Sequence, residues 1–293
     1  MEKLFSLNEF ALAAVEKNLS FGDYALQMQA EELETSQEQI IAQMKSCISV
    51  MRSAVQKGLV GQKTRGGLGG GDAKKIADLR SHDKYINISG EILSDAIQSA
   101  LAISEANAGM GKIVAAPTAG ASGVIPGVFF AIAKPLALGD EQLAKGLVTA
   151  GVIGLIIASR ASLAGAVGGC QAECGSAAAM AAGATVDLAG GDPIAVTHAA
   201  AIALKNMLGL VCDPVAGLVE VPCIKRNAGA AAQALVAAQM ALAGIESFIP
   251  ADEVFDTMKA VGNSMPCALR ETSDGGLAVT PTALEWSRKF SGQ

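Results

Sequence analysis

Residues 31 to 58 read EELETSQEQIIAQMKSCISVMRSAVQKG, and this stretch decides the fold class. Its apolar residues recur every three or four positions, the spacing that places side chains on one face of an α-helix. These residues are Ile40, Met44, Ile48, Met51 and Val55. Gly58 follows them and is a typical helix stop. The stretch therefore predicts a long amphipathic helix that ends near Gly58.

The same period returns in two later segments. One contains Ile92, Leu93, Ala96, Ile97, Ala100 and Leu101, and the other Val254, Phe255, Met258 and Val261. Thr280 and Pro281 form a typical helix start, with an N-cap residue followed by proline. A strand is predicted only at 113–116, and no alternation of strands and helices suggests a parallel sheet. We therefore expect an all-α, compact multi-helix domain with Ala/Gly-rich buried helices and functional loops.

Composition limits the classes of partner. Charged residues make up 17% of the 293 residues, against 51% hydrophobic residues and 33 glycines. This is little polar surface for a free-standing monomer, so we expect some apolar surface to contact a protein partner. The net charge is -6, and the lysines and arginines are scattered along the chain. A nucleic-acid partner is therefore not expected.

A glycine-rich run, TRGGLGGGD at 64–72, marks the expected boundary between two parts of the chain. We predict an N-terminal helical segment at 1–62 and a main domain at 63–293, together forming one continuous domain. The run lacks the Gly-Lys-Ser/Thr ending and the preceding strand of a phosphate-binding loop. A mobile lid is the better interpretation.

Hydropathy raises the question of membrane spans, because its mean value is +0.39. Two uncharged stretches, 113–133 and 227–245, approach the roughly 20 residues that a bilayer requires. Prolines interrupt the first stretch, while the second is mostly alanine and contains glutamines. Both are expected to be buried segments of a soluble protein. At the N-terminus, Asn8, Glu9 and Glu16 interrupt the apolar core that a signal peptide needs, so we expect an uncleaved cytoplasmic start.

Four of the six cysteines lie between 170 and 223, beside or near glycine or proline. In a chain without secretion signals, such cysteines suggest metal binding or reactive thiols rather than disulfides. Their spacing is compatible with an iron-sulfur cluster and does not match the compact ferredoxin run. It is also compatible with a zinc site formed by four residues, or with buried free thiols. The four residues are Cys170, Cys174, Cys212 and Cys223.

Three longer motifs carry a family resemblance. They are NAGMGKIVAAPTAGASG at 107–123, GCQAECGSAAAMAAG at 169–183 and GLVCDPVAGLVEVPCIKRN at 209–227. Together with the tail at 263–281, they resemble the alpha chain of iron-sulfur L-serine dehydratases across essentially the whole chain. The resemblance implies an all-helical catalytic domain and a four-iron, four-sulfur (4Fe-4S) cluster with one open iron.

The resemblance also assigns roles to individual cysteines. The motif cysteines of the family match Cys170, Cys212 and Cys223, which it implies are the cluster ligands. Cys174 does not match a ligand position and is expected to lie beside the cluster, whereas Cys47 and Cys267 are expected to be ordinary thiols. Pyridoxal phosphate is not expected.

The implied reaction converts L-serine to pyruvate and ammonia by loss of water. In the family, the general base is attributed to a histidine in a Ser-Ser-His-Thr motif of the beta region, which this chain lacks. We therefore expect a separate beta chain to complete the active site, and structural roles for His82 and His198. Some members of the family also end in a cysteine thought to plug the open iron, whereas this sequence ends in Ser291, Gly292 and Gln293, so such tail control is not expected.

Substrate-binding residues are predicted in the loop after Pro117 and just after Cys223. Thr118, Gly120 and Ser122 offer hydroxyls and backbone N–H groups suited to a carboxylate, although a helix-capping turn would use the same residues. Lys225, Arg226 and Asn227 could reach either a substrate carboxylate or a partner surface, and we expect one of them, assigned as Asn227, to contact substrate. Two rival functions remain: an iron-sulfur L-cysteine desulfidase, and a non-catalytic zinc or thiol scaffold.

Overall fold

A computed structural model describes residues 6–82 and 85–292, and α-helices joined by loops dominate this part of the chain. Its helices are α1 Leu7–Glu16, α2 Phe21–Glu32, α3 Gln37–Leu59, α4 Asp72–Arg80, α5 Gly90–Ala108, α6 Val124–Ala133, α7 Asp140–Arg160, α8 Gly165–Gly168, α9 Ser176–Leu188, α10 Pro193–Lys205, α11 Cys223–Leu242, α12 Ala251–Ser264 and α13 Pro281–Ser291. The N-terminal start discussed above falls partly on residues 1–5, outside the described residues. The predicted all-α fold is confirmed.

Helix α3 confirms the amphipathic helix predicted from the opening stretch. Ile40, Ile48 and Met51 are buried on one face. The helix begins at Gln37, later than the start of that stretch, because Ser36 and Gln39 form a capping box. The first two residues of the stretch, Glu31 and Glu32, belong to the preceding helix α2. Local capping chemistry therefore sets the boundary.

The later helix predictions are also confirmed. Helix α5 contains the periodic segment at 92–101, and α12 buries Val254, Phe255 and Met258. Helix α13 begins as predicted, with Pro281 in its first turn and the Thr280 hydroxyl accepting from the Ala283 N–H.

The alanine-rich helix α9 lies at the centre of the fold. It packs against α6, α7, α10 and α11, and its residues from Ser176 to Val186 are buried. Small residues permit this close packing: a Cβ atom added at Gly183 would lie 2.5 Å from Ile153 Cδ1 on α7. A helix that is buried on all sides needs no amphipathic pattern.

Helix α7 is the one described helix long and apolar enough to cross a membrane by length and composition. Its mean hydropathy over 18 residues is 1.6, but 61% of that window is buried inside the protein. The two stretches considered from sequence adopt other arrangements. The first becomes a loop followed by α6, and the second lies mainly in α11.

The strand predicted at 113–116 is wrong. Residues 112–116 form an irregular segment that enters the loop after Pro117, and no β-strand occurs in residues 6–82 or 85–292. An isolated bridge between Cys212 and Arg270 is the only ladder-type pairing there. Apolar β-branched residues alone do not form a strand when no neighbouring strand is available to pair.

The N-terminal helices pack onto the rest of the protein. Helix α1 contacts α10 and α12, α2 contacts α7, and α3 contacts α5 and α7. The division into 1–62 and 63–293 remains a prediction.

Candidate active site

The first cysteine of the candidate site precedes an unusual turn. Cys170 is buried and immediately precedes the π-helical turn Gln171–Gly175, which leads into α9. Gly169 before it has φ 77°, and a side chain there would overlap Met265. A glycine is therefore required where the chain turns toward Cys170.

Gln171 holds this turn in place and is itself fully buried. Its side-chain Nε2 donates to the Met258 carbonyl at 3.0 Å, and its Oε1 accepts from the Gly209 N–H at 2.9 Å. The turn is therefore tied to α12 and to the loop after α10, so the position of Cys170 is determined by three separate segments.

Cys212 lies in the loop between α10 and α11 and is braced by the C-terminal tail. Its N–H donates to the Leu269 carbonyl at 2.9 Å, and its carbonyl accepts from the Glu271 N–H at 2.7 Å. The next residue, Asp213, is buried and accepts from the Leu277 N–H at 2.8 Å. The tail motif seen in the sequence thus supports the cysteine loop.

Arg226 on α11 connects this loop to the first cysteine. Its guanidinium forms an ion pair with Asp213 at 2.9 Å and donates to the Val211 carbonyl at 2.7 Å. It also hydrogen-bonds Cys170, whose anion it favours. The Arg226 guanidinium is therefore already paired with protein groups around the thiols.

Electrostatic interactions show that Cys170, Cys212 and Cys223 share one environment. Burial, followed by the nearby Cys170, raises the pKa of Cys212 well above its usual value and that of Cys223 to about 12. A hydrogen bond from Cys174, with help from Arg226, holds the pKa of the Cys170 thiol below its usual range despite burial. Three segments thus bring the predicted ligands together.

This thiol set has the chemistry of a cluster-binding site. Iron-sulfur clusters are anionic and are bound by cysteine thiolates, so several buried sulfurs beside a fixed arginine suit them. In the described part of the chain, no three His, Cys, Asp or Glu side chains are grouped closely enough to hold a single metal ion. A cluster requires a wider arrangement, because each thiolate binds a different iron atom.

Asn227 ties the predicted substrate loop to Cys223. Its amide donates to the carbonyls of Gly120, at 2.7 Å, and Cys223, at 3.0 Å, and accepts from the Gly123 N–H at 2.9 Å. Because both amide hydrogens are used and the residue is fully buried, Asn227 is a brace. The expectation that it donates to substrate does not match this arrangement.

The other predicted substrate residues differ in their availability. Thr118 and Gly120 are partly exposed, and no acceptor is found in the described chain for the N–H groups of Ala119 and Gly120. Ser122 is fully buried, and its hydroxyl has no partner among the described residues. The open side of this loop is therefore around Thr118 to Gly120.

Glu173 was not selected from the sequence, yet it lies at this site. Its side chain hydrogen-bonds Thr118, and a Cβ atom added at Gly165 would lie 2.9 Å from its Oε2 and 3.1 Å from Cys212 Sγ. The carboxylate therefore lies between the substrate loop and Cys212. A lone acidic residue between two cysteines in an alanine-rich segment was the available sequence signal.

The glycine-rich run is tied down by two buried carboxylates. Glu220 accepts from the Thr64 hydroxyl at 2.6 Å and from the N–H groups of Gly66 and Leu68 at 2.5 and 2.9 Å. The side chain of Glu105 accepts from three N–H groups, those of Gly71, Asp72 and Ala73. An anchored loop, rather than the expected mobile lid, fits these bonds.

A comparison with known proteins now identifies the family. The family model described as serine dehydratase alpha chain matches residues 16–278. The chain belongs to the serine dehydratase alpha chain family.

Curated relatives agree with this assignment. The chain is 52% identical over 278 residues to the probable L-serine dehydratase alpha chain of Bacillus subtilis, covering 94% of this chain and 92% of the relative. It is 43% identical over 276 residues to the L-serine dehydratase alpha chain of Peptoniphilus asaccharolyticus, covering 94% of each. L-serine dehydratase 2 of Escherichia coli is 39% identical over 268 residues, which are 89% of this chain but 58% of that protein.

Neither histidine of this serine dehydratase alpha chain family member lies at the thiol site. His82 is exposed after α4, while His198 Nδ1 accepts from the Ser247 N–H at 3.2 Å. Lys225, another sequence candidate, pairs with Asp72 at 2.7 Å. These contacts support structural roles for His198 and Lys225, whereas the structural role of His82 remains a prediction.

Proposed function

We propose that this chain is the catalytic alpha subunit of an L-serine dehydratase, converting L-serine to pyruvate and ammonia through loss of water. The observation that carries the proposal is the meeting of Cys170, Cys212 and Cys223 beside the loop at Thr118 to Gly120. Family membership makes serine the first substrate to test.

The three thiols are proposed to hold a four-iron, four-sulfur cluster. Held by three protein ligands, such a cluster has one open iron, which supplies a Lewis acid for the β-hydroxyl group of serine. The protein's part is to place the thiols and to balance their charge, which Gln171, Arg226 and the C-terminal tail do through the bonds described above. No role is proposed for pyridoxal phosphate.

The substrate carboxylate is proposed to bind at the Thr118 to Gly120 loop. Two adjacent backbone N–H groups, those of Ala119 and Gly120, have no acceptor in the described part of the chain and suit an anion. Asn227 acts as a positioning residue, because it holds this loop against Cys223. Ser122 is retained as a candidate whose buried hydroxyl has no partner among the described residues.

A beta chain is proposed to supply the general base. The E. coli relative is longer than this chain, which spans 58% of it, and two relatives are named as alpha chains. A beta chain bound at a shared active site would also cover part of the exposed apolar surface. We further propose that the complex is soluble and cytoplasmic, without a nucleic-acid or membrane partner.

The test begins with metal content. Purified without oxygen, the chain should contain about four irons and four acid-labile sulfides, the stoichiometry of the larger cluster type. With a beta chain added, L-serine should then yield pyruvate. Zinc alone, or no metal after anaerobic reconstitution, would favour a scaffold. Turnover of L-cysteine but not of L-serine would favour the desulfidase.

A further inference from the structure

The carboxylate of Glu173 occupies a confined position between two parts of the candidate site. A Cβ atom added at Gly120 would lie 3.4 Å from both Glu173 carboxylate oxygens, and one added at Gly165 would fall between Glu173 and Cys212. Glycine at both positions leaves room around the carboxylate. Its interaction with the Thr118 side chain places the carboxylate beside the loop.

Among residues 6–82 and 85–292, the charge of Glu173 has no cationic partner. Its neighbours in the described chain include the Thr118 side chain and a second carboxylate, Glu271, but no lysine, arginine or histidine pairs with it. Burial raises the pKa of the Glu173 carboxyl, and Glu271 adds to this effect. Arg226, which lies at the thiol site, is paired with Asp213 and Cys170. A half-buried carboxylate without a cationic partner among the described residues favours a positively charged ligand.

We propose that Glu173 receives the α-ammonium group of the amino-acid substrate, while the Thr118 to Gly120 loop receives its carboxylate. This inference rests on the proposed function and deepens it. In an α-amino acid the two charged groups are attached to the same carbon, so their binding groups must be adjacent. The 3.4 Å between a Cβ atom placed at Gly120 and the Glu173 carboxylate oxygens meets that requirement.

The assignment makes Glu173 a specificity residue. Serine and 3-hydroxypropionate both carry a carboxylate and a β-hydroxyl group, but only serine carries the ammonium group. Glu173 should therefore distinguish these ligands, whereas a residue that only supports the fold would affect both alike.

The test compares the complex of alpha and beta chains carrying wild-type residues, Glu173→Gln or Glu173→Asp. Loss of a hydrogen-bonded charge pair should raise the KM for L-serine about tenfold to a hundredfold in Glu173→Gln. The inhibition constant of 3-hydroxypropionate should change by less than about twofold, because its binding does not use this interaction. Glu173→Asp, which keeps the charge on a shorter side chain, should give an intermediate KM and the wild-type inhibition constant.

Glu253→Gln is the matched control, since it removes the same charge at an exposed position on α12. It should leave both constants unchanged. Equal weakening of both ligands in Glu173→Gln, or an unchanged KM for serine, would overturn the assignment while leaving serine turnover by the wild type intact. Absence of serine turnover in the wild-type complex would instead overturn the proposed function, and the assignment with it.

Discussion

Cys212 provides the sharpest test of the proposed ligands at the scale of single residues. Its thiol is buried, and its backbone is held by Leu269 and Glu271 through bonds that do not involve the sulfur. Replacing sulfur by oxygen should therefore change the donor while leaving the loop in place.

Cys212→Ser should lose both the cluster and nearly all serine turnover, because a serine hydroxyl is a poor ligand for cluster iron. Iron and sulfide analysis of the anaerobically purified variant measures the first effect, and pyruvate release the second. Cys267→Ser, at an exposed thiol, should retain both. A Cys212→Ser protein with full iron content would remove Cys212 from the ligand set.

Asn227 shows how a residue's role depends on its contacts. Its position after a cysteine motif suggested a substrate donor, but a fully buried amide with three protein bonds is a structural brace. Glu173 illustrates the reverse case, since its place between two cysteines was the only sequence signal and it was not selected as a site residue.

At the scale of elements, close packing between helices can be tested by substituting one glycine on α3 and one on α11. A Cβ atom at Gly58 would overlap the Ala102 carbonyl on α5, whereas one at Gly229 on α11 would meet nothing within 4 Å. Gly58→Ala should therefore lower the free energy of unfolding by about 1–3 kcal/mol through overpacking.

Gly229→Ala is the matched control and should raise the free energy of unfolding by about 0.5–1 kcal/mol, because alanine costs less conformational entropy in a helix. Urea denaturation of both variants measures the difference. Equal stability of the two variants would show that α3 and α5 do not approach as closely as described.

The glycine-rich run gives a second prediction at this scale. Glu220 is almost fully buried and binds two of the run's backbone N–H groups and a hydroxyl. Glu220→Gln should weaken these charge-assisted bonds, lower the free energy of unfolding by about 1–3 kcal/mol and speed amide exchange at Gly66 and Leu68. Hydrogen exchange followed by mass spectrometry measures the local effect.

Glu285→Gln provides the control for that experiment. Glu285 is exposed and pairs with Lys289 on the same helix, so its loss should change stability by less than about 0.5 kcal/mol. Unchanged exchange at Gly66 and Leu68 in Glu220→Gln would restore the mobile-lid interpretation.

At the scale of the whole molecule, Asp187 connects the N-terminal helices to the core. At the end of α9, it accepts from the Gly22 N–H on α2 at 3.0 Å and from the Thr149 hydroxyl on α7 at 2.6 Å. Burial raises the pKa of its carboxyl, although these bonds and Lys145 oppose the shift.

A raised pKa in the folded state means that the folded protein binds more protons than the unfolded chain. This contribution to stability is present below the ordinary pKa of about 4 and is lost as the pH rises through the folded value. Asp187→Asn has no carboxyl group at this position, so its stability should not fall for this reason as the pH rises. The difference in free energy of unfolding between the variant and wild type should therefore increase with pH across that window and then level off.

Urea denaturation at several pH values tests this prediction. Asp274→Asn, an exposed substitution of the same kind, should show a constant offset from wild type. A constant offset for Asp187→Asn as well would contradict the role assigned to burial.

The surface of the described chain includes exposed apolar side chains, as expected from composition. Ile88 and Phe248 are each 94% exposed, and an apolar groove of about 510 Å³ lies between α5, α6 and α11. The protein partner inferred from composition remains a prediction, and the beta chain is its proposed identity.

The sequence by itself determined the helical class, the amphipathic face of α3 and the start of α13, because periodicity and capping act within a few residues. Its motifs also supplied the family resemblance. Tertiary structure decided which thiols meet, that Asn227 braces the loop, and that Glu173 faces the site. The bond between Gly123 and Asn227 joins positions 104 residues apart. Such contacts depend on how the helices pack, which no local pattern specifies.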